Sequence, residues 1–452
     1  MERDLTQGKP LNLLLALSIP QILSAVLQLM YNTVDALIVG NFVGEFALAG
    51  VGLSMPIIFL MNSVMLGLGA GVSIIVGQYF GAKEYIDMRK TVGTSIVSLV
   101  PLTILISIVA VFATDPILRI INTPPEAFEH ASSYMKIYFA GTIFALMYNL
   151  YSAVLRALGD ARSPLLFLGI AASLNVVFDL LFVVTFKMGT AGAAYATVAS
   201  QGISSLFCLI YIRKKLPLLA LAKDEYKFDS KKFKLILRYG LPSALQMSVI
   251  SLGNMAIQNL LNSYGVGAVA GFTAGVRIDS FVVMPYMNVG VALANYTGQN
   301  MGAGLHDRVR EGLKSAYTIL LVISILTLPF VWFFTSNLVG VFLDSSSGES
   351  ISIGVAMLRD LVPLYIFLGM LNNTQGLLRG AGDNMWSLYG SLISIGARIA
   401  AAYLLNPIFG IRSIWFGSGI GWIIGYLFVY LRFRSGKWKE KGIQRVPSIE
   451  LE

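Results

Sequence analysis

Long apolar runs, broken at intervals by clusters of Gly, Pro and charged residues, dominate the 452-residue chain. A membrane-spanning helix needs about 20 mostly apolar residues. Twelve such runs can be read, near 11 to 40, 47 to 79, 91 to 113, 132 to 157, 163 to 186, 189 to 213, 235 to 262, 268 to 300, 313 to 335, 354 to 379, 385 to 407 and 411 to 433. They are apolar on all faces and longer than the alternating segments of about 10 residues that build a membrane barrel. The expected fold is therefore an all-α integral membrane protein. The first run is long and contains Asp35, so it is expected to be retained as a helix rather than cleaved as a signal peptide.

Composition agrees with that pattern. The chain is 56% hydrophobic and 13% charged, against roughly 25% charged in an average soluble domain. One Cys excludes a disulfide framework, and two His, His130 and His306, leave little for a zinc or haem site. No cofactor is expected. The net charge of +9 changes the picture only through its distribution. With twelve spans the loops alternate sides, and 26 of the 33 Lys and Arg fall in one set of loops and termini. The opposite set holds three, Arg119, Lys187 and Arg412, and four lie within spans, Lys136, Arg277, Arg359 and Arg398. The positive-inside rule places both termini and the basic 213 to 238 loop in the cytoplasm, so the basic excess needs no nucleic-acid partner.

An internal repeat is also present. Leu17 to Pro20, followed by Gln21 (LSIPQ), recurs as Tyr239 to Pro242 (YGLP). Gly77, Gln78, Gly81 and Ala82 recur as Gly298, Gln299, Gly302 and Ala303, 221 residues later, and Leu155, Arg156, Gly159 and Asp160 recur as Leu378, Arg379, Gly382 and Asp383, 223 later. Each half holds six spans, an even number, so both begin on the same side and the pseudo-twofold axis runs along the membrane normal. The expected organisation is an N-lobe at 1–213, a basic cytoplasmic linker at 214–234, a C-lobe at 235–433 and a cytoplasmic tail at 434–452. Two such six-helix lobes fit an alternating-access transporter better than a channel or an enzyme. No span carries a Ser/His pair or a His cluster for an intramembrane enzyme.

Four acids lie inside the spans, Asp35, Asp179, Asp279 and Asp360. An ionised carboxylate at mid-membrane costs about 3 kcal/mol, so each needs a partner, a water-filled cavity or a proton. Asp35 and Asp179 lie at similar depth. Asn175 precedes Asp179 by four residues and shares its helix face, while Gln28, Tyr31 and Asp35 form a stripe on the first span. Tyr134, Tyr138, Thr197 and Asn149 are candidates for the same pocket, which has no obvious cationic side chain. Two carboxylates in low dielectric repel, so the pocket is suited to a proton or to a sodium ion held by Asp, Asn and Thr oxygens. The alternative use of the same residues is as polar glue between helices.

At the paired GQ..GA and LR..GD motifs and at GTAGAAYAT, 189–197, the chain resembles the MATE family, the multidrug and toxic compound extrusion transporters, over essentially 11–433. The resemblance implies export of organic cations in exchange for protons or sodium ions, by two bundles forming a V. It implies that Asp35, Asn175 and Asp179 form the ion site of the N-lobe, and that the first helix bends at Pro20. No metal beyond sodium at those three residues is expected. The implied setting is the cytoplasmic membrane of a bacterium, with organic cations and the lipid bilayer as partners and a monomeric chain. A flippase for a lipid or lipid-linked precursor is the rival, kept open by Arg277 and Arg398.

In the second half, Arg398 occupies the repeat position of Asn175, at a depth similar to that of Asp279. A buried guanidinium cannot give up its charge, so an Asp279–Arg398 ion pair is expected there. Lys136 and Arg359 lie near outer helix ends and are expected to extend to the interface, with Asp360 pairing with such groups. Gly67, Gly69 and Gly71 read as a close helix contact, and Cys208 as packing.

The charge count generates a topology test. Cysteines introduced at Glu45 or Ser347 are expected to react with an impermeant thiol reagent added to intact cells, and one at Lys227 is not. Labelling confined to Lys227 would reverse the orientation.

Overall fold

The computed structural model describes residues 3–222, 225–343 and 348–443, and among them every regular element is helical. Ser347 and the tail beyond 443 lie outside the described residues. The chain forms α1 (Pro10–Phe42), α2 (Glu45–Ala82), α3 (Tyr85–Ile120), α4 (Pro125–Ala140), α5 (Thr142–Ala157), α6 (Arg162–Asp179) and α7 (Gly189–Lys215). It continues with α8 (Ser230–Asn262), α9 (Val266–Gly302), α10 (His306–Gly340), α11 (Gly348–Leu361), α12 (Tyr365–Gly380), α13 (Asn384–Phe409) and α14 (Ser413–Arg434).

Ten continuous stretches among the described residues are long and apolar enough to cross a membrane, or eleven when α4 and α5, bent by 50° at Gly141, count as one span. The bend has a local cause, because Gly141 leaves room for Val198 of α7 to lie against the backbone. The longest stretch, Asn384–Arg434, holds two helices. Gly417 on α14 meets Ala402 of α13, Gly421 meets Ser394 and Arg398, and Gly425 meets Ser394 and Gly390. Contacts that descend along α13 as they ascend along α14 define an antiparallel pair, folded back at Gly410 with φ +56°. Resolving that pair gives twelve spans, as the hydrophobic pattern predicts.

Packing separates the chain into two compact units, Met1–Arg3 with Leu23–Ala244, and Asp4–Ile22 with Leu245–Glu452. Two of the three dividing points fall inside helices, α1 and α8. In the first unit α2 packs on α3, α4 and α5, and α7 packs on α4, α5 and α6. Its core includes Val39, Val51, Leu118, Met135 and Phe139. The linker residue Glu225 is held there by Arg89 Nε at 2.7 Å and by the Ala222 amide at 2.8 Å. In the second unit α9 packs on α10, α11 and α12, and α14 on α12 and α13, around Tyr286, Leu358, Tyr365 and Trp415.

Apolar side chains gain little from leaving lipid, so helices in a bilayer associate through close van der Waals approach at small residues. Gly50 of α2 shows this, since a Cβ there would lie 2.9 Å from Ala127 O and Ala131 N. Gly67 and Gly71 pack on Ala244 and Gly240 of α8, as a close-contact role requires, whereas Gly69 has nothing within 4 Å of its Cβ position. Gly290 and Gly376 bring α9 and α12 into backbone contact.

The repeated motifs sit at helix ends. Gly159 and Gly382 adopt φ +82° and +89°, which suits glycine, and each stops its helix so that an Asp follows at once. Asp160 accepts from the Arg162 and Ser163 amides at 3.1 and 3.0 Å, starting α6, while Asp383 accepts from Arg432 Nε at 2.7 Å. Gln299 Oε1 accepts from the Leu5 amide at 2.8 Å, and Asn300 Nδ2 donates to Leu5 O at 3.1 Å.

Helix α3 runs to Ile120, past the expected 113, and its last turns bring in Asp115. Lys136 is consequently held by Asp115 Oδ2 at 2.7 Å rather than reaching the interface alone. Arg359 lies over the Trp332 ring at 5.6 Å, and Asp360 takes Trp415 Nε1 at 2.8 Å with Arg412 at 3.8 Å.

The α9–α12 contact is testable by adding one methyl. Gly376→Ala drives a Cβ into the Gly290 carbonyl and should destabilise the protein by about 1–3 kcal/mol through overpacking. Gly396→Ala, with nothing within 4 Å of the added carbon, should leave the thermal midpoint in micelles unlowered. Equal midpoints for the two variants would contradict the close contact.

Candidate functional site

The first unit gathers polar side chains from five helices at one level. The C-terminal half of α1 supplies Gln28, Tyr31 and Asp35, α6 supplies Asn175 and Asp179, α4 supplies Tyr134 and Tyr138, α7 supplies Thr197 and Gln201, and α2 supplies Asn62. Asp35 is 3% exposed and Asn175 and Asp179 are 0% exposed. The i, i+4 spacing puts both α6 side chains on one face. Immediately after Asp179 the helix widens into a π-helical turn, Leu180–Thr185, ending before Lys187 at φ 54°. Such turns recur at functional sites because they re-aim neighbouring side chains.

The carboxyl groups of Asp35 and Asp179 face each other within interacting range. With its amide turned so that nitrogen faces the acid, Asn175 donates to Asp179 Oδ2 at 3.0 Å and accepts from the Thr197 amide at 3.3 Å. Tyr31 and Tyr134 approach Thr197 without closing a hydrogen bond of normal length, and the Tyr134 and Tyr138 rings stack at 6.4 Å. Asp35 Oδ1, Asp179 Oδ1 and Thr197 Oγ1 are buried without a hydrogen-bond partner. None of the ion pairs among the described residues includes Asp35 or Asp179. The site thus keeps carboxylate oxygens without hydrogen-bond partners and holds no fixed cation. No group of three or more His, Cys, Asp or Glu suited to a metal ion exists among the described residues.

Beside the carboxylates lies a cavity of about 240 Å³ whose wall includes Gln28, Tyr31, Asn62, Tyr138, Asn149 and Gln201 and no charged side chain. Tyr138 links the two, its hydroxyl accepting from Asn62 Nδ2 at 2.9 Å. Asp35, Asn175, Asp179, Tyr134 and Thr197 are therefore brought together as the sequence suggested, and Tyr138 stands between them and the cavity. Asn149 stands on the cavity wall, donating to Ala145 O at 2.9 Å. Helix α1 continues unbroken through Pro20, two residues before the packing units part. Sequence reasoning left out Asn62 and Gln201. Gln201 follows Thr197 by one helical turn, which was a usable signal, whereas Asn62 had none.

The second unit corrects one expectation. Asp279 and Arg398 are not in direct contact. Asp279 accepts from the Tyr365 hydroxyl, and Arg398 Nη1 donates to Asn254 Oδ1 at 2.8 Å. The charges are close enough to feel each other, yet each side chain has found a neutral partner. Arg277 lies over the Phe342 ring at 5.7 Å.

Twelve spans built from a duplicated six-helix unit, with a carboxylate pair buried in the first, define a polytopic membrane transport protein. The family model described as MatE matches residues 20–181 and, beginning 222 residues later, 242–404, so the duplication is recovered and the chain belongs to the MatE family. It is 34% identical over 438 residues to the probable multidrug resistance protein YpnP of Bacillus subtilis (strain 168), covering 96% of this chain and 97% of that one. Identity to the probable multidrug resistance protein NorM of Thermotoga maritima is 26% over 443 residues, 95% and 93% of the two chains. The crystal structure of MATE in complex with MaL6 superimposes with a TM-score of 0.90 at 26% identity, over 97% of this chain and 99% of that one. The outward-facing conformation of a multidrug resistance MATE family transporter gives 0.89 at 26% identity, over 96% and 98%. The protein is accordingly a multi-pass membrane transporter and not an enzyme.

Proposed function

We propose that this chain exports organic cations by exchanging them for protons or sodium ions at Asp35, Asn175 and Asp179. The observation that carries the reading is the buried pair of facing carboxylates, with unpartnered oxygens and no fixed cation beside it. Two carboxylates in contact, away from water, do not both stay charged unless a proton or a cation sits between them. Asp35 Oδ1, Asp179 Oδ1 and Thr197 Oγ1 offer hard oxygen ligands for sodium, and either carboxylate can instead take up a proton. Either ion cancels one of the two negative charges, and its departure restores charge that favours an organic cation.

Exchange becomes pumping when the loaded and unloaded forms open to opposite sides. A membrane potential supplies about 2.3 kcal/mol per charge per 100 mV, and a pH gradient about 1.4 kcal/mol per unit. Both act only through a group that loads on one side and unloads on the other. In this reading the halves 1–213 and 235–433 are the moving lobes, 214–234 joins them in the cytoplasm, and the chain works as a monomer in the bacterial cytoplasmic membrane with both termini inside. Names of relatives support the substrate class, since YpnP and NorM are both described as multidrug resistance proteins. A flippase would call for a cationic cavity to receive phosphate, and the cavity beside the carboxylates has no charged wall.

Reconstitution in liposomes with an imposed pH or sodium gradient tests the proposal. Asp35→Asn fixes the neutral state, so gradient-driven export of a fluorescent organic cation should fall to background while the protein remains folded, and Asp179→Asn should be similarly impaired. Wild-type export by Asp35→Asn would sink the reading.

A further inference from the structure

Arg398 stands eleven residues from the last residue of α13, which at the helical rise of 1.5 Å per residue is about 16 Å of helix. An extended Arg side chain does not cover that distance, so interfacial snorkelling does not solvate its head. Its stem is fixed by packing, since a Cβ on Gly421 of α14 would lie 2.9 Å from Arg398 Cβ. The head reaches toward α8, where Nη1 donates to Asn254 Oδ1 at 2.8 Å. Nε is buried and has no partner. The nearby acid, Asp279, is engaged by the Tyr365 hydroxyl instead. Tyr365 in turn lies between the rings of Tyr286 and Trp422, each 5.9 Å away by centroid.

A guanidinium is always charged and presents donors as a planar fork that matches a carboxylate. At membrane depth a cation with an idle donor and no contacting anion is costly, and the cost falls if an anion joins it. We infer that Arg398, held by Asn254, is a receptor in the second unit for the carboxylate of an organic substrate. Trp422, which is only partly buried and backed by the buried Tyr365 ring, then offers an aromatic face for the substrate's own ring. The inference rests on the exporter reading and assigns the carboxylate end of a zwitterionic substrate to one side chain. Asp279 sets selectivity, because its charge repels an anion that fails to engage the Arg398 fork.

Rhodamine B carries a free carboxylate, and its ethyl ester carries the same cation without one. Equilibrium binding of both dyes to the purified full chain in micelles isolates the carboxylate. Arg398→Gln should weaken rhodamine B binding by about tenfold, the scale of one charged hydrogen-bond pair, and change ester binding by less than about twofold. Arg398→Lys keeps the charge without the fork and should fall between. Asp279→Asn should tighten rhodamine B and leave the ester unchanged, whereas a purely structural Asp279–Arg398 couple would lower both dyes alike in either variant. Equal weakening of the two dyes, no weakening of rhodamine B by Arg398→Gln, or wild-type binding of the ester alone overturns the carboxylate site and spares the exporter reading. Wild-type protein that binds neither dye overturns both.

Discussion

The hydrocarbon layer contains no water to complete a hydrogen bond, and the architecture follows from that. Backbone donors and acceptors have to be satisfied within each span, which leaves the helix as the element available to an open bundle. Apolar side chains no longer drive association, so contact is made where side chains are smallest, at Gly50 against Ala127 and at Gly376 against Gly290. A charge inside the layer persists only with a reason. Lys136 has Asp115, Arg432 has Asp383, and Asp360 has Trp415 and Arg412. Asp35 and Asp179 have each other and no fixed cation.

Duplication supplied two frames of the same kind, and the residues placed in them have diverged where it matters. At the repeat spacing of 223, Asn175 becomes Arg398, Thr197 becomes Ile420 and Asp179 becomes Ala402, and at the spacing of 222 that relates the first helix of each half Tyr31 becomes Gly253. Arg398 and Asn254 are in contact, so the second unit joins α13 to α8 beside the position of Asn175. The chemistry has changed sign. The first unit offers oxygens without a cation, and the second offers a cation without a contacting anion. A duplicated fold can carry opposite functions in its two copies because the helix contacts that hold it rest largely on glycines, which do not specify the charge beside them.

Much of this was legible in the sequence, because apolar length and loop charge are set by the bilayer itself. The twelve runs anticipated the spans, and Asn175 and Asp179 shared a face by helical spacing alone. What was hidden depends on how backbones meet. The bend at Gly141 follows from the approach of Val198, a contact between helices distant in sequence. The π-helical turn after Asp179 has no signature in LLFVVT. Asp115 was missed because α3 extends past its hydrophobic run, as a helix can when a neighbouring Lys receives its last acid. Depth placed Asp279 and Arg398 together correctly, but depth says nothing of rotation about the helix axis, and rotation gave Asp279 to Tyr365.

The sequence features that are easiest to see and the residues argued to act are different sets, for a physical reason. GQ..GA and LR..GD occur in both halves because both halves must stop and restart helices at the same places. Gly159 and Gly382 adopt the same left-handed turn, and Asp160 and Asp383 follow each at once. A residue that serves the frame is duplicated with the frame. A residue that does not serve the frame is released from that requirement, so Asp35 has no acidic counterpart and the position of Asn175 was free to become Arg. Asymmetry between the repeats at buried polar positions, rather than similarity, is therefore the mark that separates the residues of transport from those of architecture.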